Sequence, residues 1–169
     1  HLIALFFTLI LTKAAFEPFL VFVFLYKITK MQLSREQLIQ KANAVCKGNL
    51  METLSIEFVD ATENSIVAKM PVTTKVYQPD GVLHGGATLA LMETVGSFAA
   101  HFFLDTESYV IRGIDISAQH IKSVKDGFIY ATAKCLHKGR TTQIFSIRVT
   151  NEKEELISLS KLTTISLPK

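Results

Sequence analysis

The residues best suited to chemistry lie in Gln78-Pro79-Asp80-Gly81-Val82-Leu83-His84-Gly85-Gly86-Ala87 and in Glu93, eight residues beyond Gly85. His84-Gly85-Gly86 opens a long apolar run, so its backbone amides stand at the start of a helix. There the N–H groups are unpaired and the helix dipole is positive. Glycine lets a ligand approach such amides closely. An acyl carbonyl set there is polarised as in an oxyanion hole. At about 100° per residue, Glu93 shares a stripe with Gly86, Leu89, Ala90, Gly96, Ser97 and Ala100. That stripe is small or apolar apart from Ser97, so Glu93 is expected off the solvated face. A carboxylate held there is costly unless it is paired or used. In a low-dielectric setting it serves as a stronger base or as a nucleophile.

Spacing alone leaves plainer readings open. A Gly-Gly pair at a helix start also serves close packing and nothing more. A lone glutamate on an apolar helix also serves as an ion-pair partner across a subunit boundary. Lys122, Lys138 and Arg140 fall at strand ends, where they supply positive charge for a nucleotide phosphate. His101 reads as a packing residue, and His120, beside Lys122 and Ser123, as either packing or ligand contact. The sequence holds no GxxxxGK loop, GxSxG elbow or HExxH, so phosphate-loop ATP hydrolysis, serine hydrolysis and zinc proteolysis are unsupported.

The elements that must position these residues are legible in outline. Ser34 and Gln37 form a capping box ahead of Leu38, Ile39, Ala42 and Val45 at helical spacing, and Lys47-Gly48-Asn49 is a stop, which predicts a short amphipathic helix over about 34–47. From Met51 onward, Leu54, Ile56 and Phe58 alternate with polar neighbours, as do Ile66, Ala68 and Met70, so two strands are expected. Residues 73–83 read as a loop punctuated by Gln78-Pro79-Asp80-Gly81. Residues 85–104 are apolar nearly all round, the pattern of a buried central helix. Four alternating segments follow, at about 108–121, 127–137, 141–150 and 156–167. One antiparallel sheet must wrap the helix, because nothing else in the chain is available to bury it. An edge or outer face of such a sheet calls for a partner subunit.

Composition bounds the rest. With 169 residues, 49% hydrophobic and 20% charged, the chain has room for one domain with a core and is unlike a disordered chain. Its net charge of +3 includes Lys13, Lys27 and Lys30 against Glu17 in residues 1–30, which leaves the body near neutral. A nucleic-acid partner is therefore not expected. Cys46 and Cys135, far apart, support neither a disulfide framework nor a cysteine zinc site, and a reducing, cytoplasmic setting is expected. Residues 1–30 hold six of the twelve phenylalanines in two apolar runs broken by Lys13, Glu17 and Pro18. They read as an apolar extension outside the folded domain, translated ahead of Met31; a membrane anchor or a secretory signal are the alternatives. The folded domain is expected over 31–169.

From Gln78 to Leu167 the chain resembles the hotdog-fold acyl-CoA thioesterases. The similarity is greatest to the branch holding Glu-dependent 4-hydroxybenzoyl-CoA thioesterase and 1,4-dihydroxy-2-naphthoyl-CoA hydrolase of menaquinone biosynthesis. It is carried by Gln78-Pro79-x-Gly81-x-Leu83-His84-Gly85-Gly86-Ala87, Glu93-Thr94-x-Gly96-Ser97, Gly113 with His120 seven residues on, and His137-x-Gly139-x-Thr141. Many relatives have Asn where this chain has Gln78, and Gln resembles the aryl-CoA branch. The resemblance implies an α+β hotdog fold, a long central helix wrapped by six antiparallel strands, and a homodimer or homotetramer with its site between subunits. It also implies hydrolysis of an acyl-CoA without metal or bound cofactor. Glu93 would be nucleophile or general base, the Gly85 amide would polarise the carbonyl, and Gln78 would hold the carbonyl or sulfur. Ser97 would position water or Glu93, and His84 would meet the aryl group's hydroxyl or shape the pocket. Gly113, His120, Ile121, Lys122, Ser123, His137, Lys138, Gly139, Arg140, Thr141 and Thr142 would line the CoA channel. An aromatic acyl group, 1,4-dihydroxy-2-naphthoyl first, is the leading expectation. A hotdog hydratase or dehydratase and a non-catalytic acyl-CoA binding module are the rival readings.

Overall fold

The computed structural model describes residues 34–104 and 108–169. The expectation for residues 1–30 lies outside them. In chain order the elements are α1 (Arg35–Val45), α2 (Leu50–Thr53), β1 (Glu57–Ala61), β2 (Ser65–Pro71), α3 (Gly85–Phe103), β3 (Tyr109–His120), β4 (Phe128–Lys138), β5 (Thr142–Asn151) and β6 (Leu156–Pro168), with a 3-10 turn at Thr74–Val76.

Alternation builds the sheet. Ile129, Ala131 and Ala133 of β4 are buried on one face, as are Phe145, Ile147 and Val149 of β5 and Leu162 of β6. The six strands pair antiparallel in the order β1-β2-β4-β5-β6-β3. Helix α3 lies across the buried face, packed on β2, β3, β4, β5 and β6, and Phe98 meets Phe58 of β1 with ring centroids 4.5 Å apart. Leu91, Met92, Val95, Ala99 and Ala100 of α3 are fully buried, as an apolar helix requires. Gly96 allows the closest approach: a Cβ there would stand 2.5 Å from Leu162 Cδ2 and 3.2 Å from Ile147 Cδ1. Buried Gln143 is satisfied by accepting from the Thr164 hydroxyl at 2.8 Å and donating to Ser166 Oγ at 3.1 Å.

The two ends of the sheet differ. At the β1 end, Asn43 of α1 donates to Phe58 O at 2.9 Å and accepts from Phe58 N–H at 2.8 Å, tying the helix to the strand. At the other end, among the described residues, β3 pairs only with β6, and a bulge at Ile114, between Gly113 and Asp115, breaks the register. Ile111 is the one buried residue of β3. Among the described residues no helix is long and apolar enough to cross a membrane.

One expectation needs correction. Residues 50–53 are helical rather than the approach to a strand. Asn49 Oδ1 accepts from Met51 N–H at 3.0 Å, and the Leu54 N–H closes the turn onto Leu50 O. Ser55, at φ +54, then redirects the chain into β1, so Leu54 caps a helix instead of starting an alternating set. A short capped turn is too brief to register against alternation in neighbouring residues.

The tight seat of Gly96 makes a measurable demand. Gly96→Val should lower stability by about 1–3 kcal/mol, the usual cost of overpacking, read as a fall in the thermal midpoint.

Candidate active site

The tip of α3 is held by its own loop. Gln78 N–H donates to Val82 O at 2.8 Å and Gly81 N–H to Gln78 O at 3.0 Å, with Gly81 at φ +75, which a side chain would strain. Leu83 N–H reaches Val124 O and His84 N–H reaches Val76 O, both at 2.8 Å, while the Tyr77 hydroxyl donates to Lys125 O. The chain therefore enters α3 along a fixed path. His84 is the N-cap: its Nδ1 accepts from Gly86 N–H at 2.7 Å. Its carbonyl accepts from Ala87 N–H at 3.0 Å and Thr88 N–H at 3.2 Å. With those amides taken, the Gly85 N–H is left in the first turn without an acceptor among the described residues. The positive end of the dipole adds to it. The half-buried side chain of Gln78 makes no hydrogen bond there either.

Two turns further along, Glu93 is half-buried. The Ser97 hydroxyl donates to Glu93 Oε1 at 2.9 Å, the contact that residues four apart on a helix can make. On the other side the carboxylate lies against Gly113 of β3, where a Cβ would stand 2.5 Å from Oε1. Ser97 orients the group and the bare backbone of Gly113 makes room for it.

His120, at the far end of β3, belongs with the helix tip. A Cβ on Gly85 would meet His120 Nε2 at 2.9 Å, so the imidazole edge rests on the glycine. Its Nδ1 lies 3.0 Å from Ser158 Oγ.

The residues expected to line a CoA channel fall into two groups. Gly113 aligns across the sheet with Thr164, Gln143 and Lys138, and His120 aligns with Ser158, Val149 and Ala131. Seven residues of strand separate these rows, roughly 20 Å. Glu93, Ser97 and Gly113 thus share one end with the β4–β5 hairpin carrying His137, Lys138, Gly139, Arg140, Thr141 and Thr142. Gln78, His84, Gly85 and His120 share the other with Ile121, Lys122 and Ser123. Along α3 itself, Gly85 and Glu93 are about 12 Å apart. Within one protomer the carboxylate does not reach a carbonyl held on the Gly85 amide.

Two of the three expected phosphate cations are engaged. Lys122 Nζ pairs with Glu155 Oε1 at 2.5 Å; that contact and the Asn151 amide hold the Glu155 carboxyl below its ordinary value. Lys138 Nζ donates to Phe103 O at 2.7 Å. Arg140 is exposed. Gly139 N–H closes the hairpin onto Thr142 O at 2.9 Å. His101 Nδ1 lies 2.8 Å from Ser97 O, on its own helix.

A cavity of 420 Å³ lies between α1, α2 and β1, lined by Asn43, Cys46, Glu52 and Ser55 among others. It contains none of the residues above, and Cys46, whose thiol burial pushes up, makes a poor nucleophile there. Among the described residues no group of three or more His, Cys, Asp and Glu side chains is gathered as for a metal ion. Two features escape sequence reasoning, the N-cap role of His84 and the contact of Ser158 with His120. The first was readable from a polar residue just before Gly-Gly; the second pairs residues 38 apart and left no local signal.

Comparison with known proteins agrees with this architecture. The thioesterase superfamily model matches residues 80–158. The chain belongs to that superfamily, of hotdog fold, and is a thioester hydrolase. It is 35% identical to 1,4-dihydroxy-2-naphthoyl-CoA hydrolase of Escherichia coli K12 over 79% of this chain and 97% of that protein. It is 42% identical to the Bacillus subtilis protein ComA2, assigned no more closely than as an esterase, over 73% and 98%. A mutant of thioesterase PA1618 from Pseudomonas aeruginosa superposes with a TM-score of 0.76 at 32% identity, covering 78% of this chain and 94% of that one.

The space at Gly113 is testable. Gly113→Ala should push the Glu93 carboxylate aside and, if that carboxylate takes part in the reaction, lower kcat for thioester hydrolysis roughly tenfold or more. The thermal midpoint should change little, because what the added methyl displaces is the end of a flexible, half-buried side chain.

Proposed function

We propose that this protein hydrolyses an aromatic acyl-CoA to the free acid and CoA, with 1,4-dihydroxy-2-naphthoyl-CoA the leading substrate. The carrying observation is the Glu93 carboxylate, oriented by Ser97 and seated against Gly113, in a fold where, among the described residues, the Gly85 amide at the tip of the same helix has no acceptor. The substrate class is supported by Gln78 and by the similarity to 1,4-dihydroxy-2-naphthoyl-CoA hydrolases from Escherichia coli and Listeria monocytogenes, the latter 38% identical over 114 residues. Free Cys46 and Cys135 favour a reducing, cytoplasmic compartment.

In this reading the thioester carbonyl accepts from the Gly85 N–H, with Gln78 beside it. Glu93 either takes a proton from the attacking water or adds to the carbonyl carbon itself. When water attacks, the C–S bond breaks, the proton held by Glu93 goes to the sulfur, and CoA thiol and the acid are released. When Glu93 adds, the C–S bond breaks to release CoA as the thiolate, which takes its proton from solvent, and water then opens the mixed anhydride to give the acid and restore Glu93. Neither route needs a metal or bound cofactor.

The separation of Glu93 from Gly85 supports a homodimer as the working unit. If β3 pairs antiparallel with a second copy of itself, centred between Ile116 and Ser117, Gly113 of one protomer lies across from His120 of the other. Glu93 then faces the partner's helix tip. The free edge of β3 and exposed Ile114 support this arrangement.

Thiol release measured over a panel of acyl-CoAs should show the highest kcat/KM with aromatic acyl groups. Glu93→Gln should lower kcat about 10²–10⁴-fold, and a loss under tenfold would remove Glu93 from the centre of the mechanism. A shared site has its own signature. Gln78→Ala and Glu93→Gln, each nearly inactive alone, should recover about a quarter of the unsubstituted activity after mixing and subunit exchange, since half of the dimers then hold one intact site of two. No recovery, with exchange verified by mass, would place the whole site in one protomer.

A further inference from the structure

We propose that Ser158 is a positioning residue that fixes the tautomer of His120 and so makes Nε2 a hydrogen-bond acceptor at the tip of α3. The inference rests on the thioesterase reading for its catalytic consequence, but its structural content stands on the protein alone. Ser158 is fully buried on β6. Its Oγ lies 2.9 Å from Gln119 O and 3.0 Å from His120 Nδ1. A carbonyl oxygen only accepts and a hydroxyl carries one proton, so that proton goes to Gln119 O. The same oxygen must then accept from His120, which places a proton on Nδ1. A neutral His120 therefore keeps its lone pair on Nε2, the atom that rests on Gly85.

The geometry gives that lone pair a task. The free Gly85 N–H is a donor for the thioester oxygen, whereas His120 Nε2 beside it is an acceptor. The adjacent pair discriminates by polarity: a carbonyl oxygen suits the amide, and a substrate N–H suits the imidazole. In a CoA ester the N–H nearest the sulfur is the first amide of the pantetheine arm, two carbons away. His120 would seat that amide and keep the C–S bond in register with Gly85. With the other tautomer, Nε2–H would face a donor and the contact would be lost. His84 is held the opposite way, because its Nδ1 accepts from Gly86 N–H. The two imidazoles near this tip are thus assigned complementary tautomers, His84 by a backbone amide and His120 by a side-chain hydroxyl.

Imidazole nitrogen shifts in ¹⁵N-labelled protein at about pH 8.5, well above the ordinary His value, read this directly, with His120 assigned by the loss of its signals in His120→Gln. The unsubstituted protein should show His120 protonated at Nδ1. Ser158→Ala should move it towards the Nε2–H form, and Ser158→Thr, which retains a hydroxyl, should keep it at Nδ1. In parallel, kcat/KM for the fastest-hydrolysed acyl-CoA should fall roughly fivefold to tenfold in Ser158→Ala, the usual worth of one hydrogen bond, mainly through KM. An Nε2–H tautomer in the unsubstituted protein, or an unchanged tautomer or an unchanged rate in Ser158→Ala, would overturn the proposal. A lowered thermal midpoint with no tautomer change would reduce Ser158 to packing. Failure of the thioesterase reading looks different: the unsubstituted protein itself would release no thiol from any CoA ester.

Discussion

Burial of α3 against one sheet governs where each candidate catalytic group can stand. The helix has no polar face to offer water, so its length is committed to the interior, and Gly96 brings it close to Leu162 and Ile147. Once the axis is set, and apart from the last turn, where His101 and Phe102 are exposed, two places on the helix still reach solvent or a ligand. One is the first turn, where backbone amides are unpaired by geometry. The other is the stripe that passes beneath the edge strand β3, and Glu93 lies on it.

The same constraint divides the chemistry. Amide and carboxylate are carried on one rigid rod about 12 Å apart, a distance that no side-chain rotation closes. The strand beneath them repeats the division, with Gly113 clearing space for Glu93 and His120 resting on Gly85. A site split in this way suits the proposed dimer, in which a second copy paired along the edge strand would bring the separated halves together. The exposed edge that threatens aggregation in a lone sheet would, in the proposed dimer, be the element on which a shared active site forms.

Positive charge behaves less simply than its position in the chain suggests. Lys122 is occupied by Glu155 and Lys138 by a helix carbonyl, so a phosphate approaching either competes with a partner already in place. Surface pairs of this kind are weak, and a ligand carrying several phosphates can displace them. Among the described residues, exposed Arg140 has no such competitor to displace.

Much was legible from residue order alone. The long apolar run marked α3, alternation marked the last four strands within a residue or two, and Gly-Gly ahead of that run marked the helix tip. These features are local: they depend on periods of about 3.6 and 2 residues and on the special freedom of glycine. The stretch at 50–53 was misread, because a four-residue helix held by Asn49 has no period of its own. Which groups meet was beyond sequence reasoning for a different reason. Ser97 could be paired with Glu93 from helical spacing, but the Gly113 contact, the alignment of His120 with Ser158, and the bulge at Ile114 join residues tens of positions apart. Sequence by itself therefore determined the elements, the family resemblance and the residues able to act. Only the tertiary structure decided that they stand at two separate ends, because the burial of α3 and the strand register are settled by packing across the whole sheet.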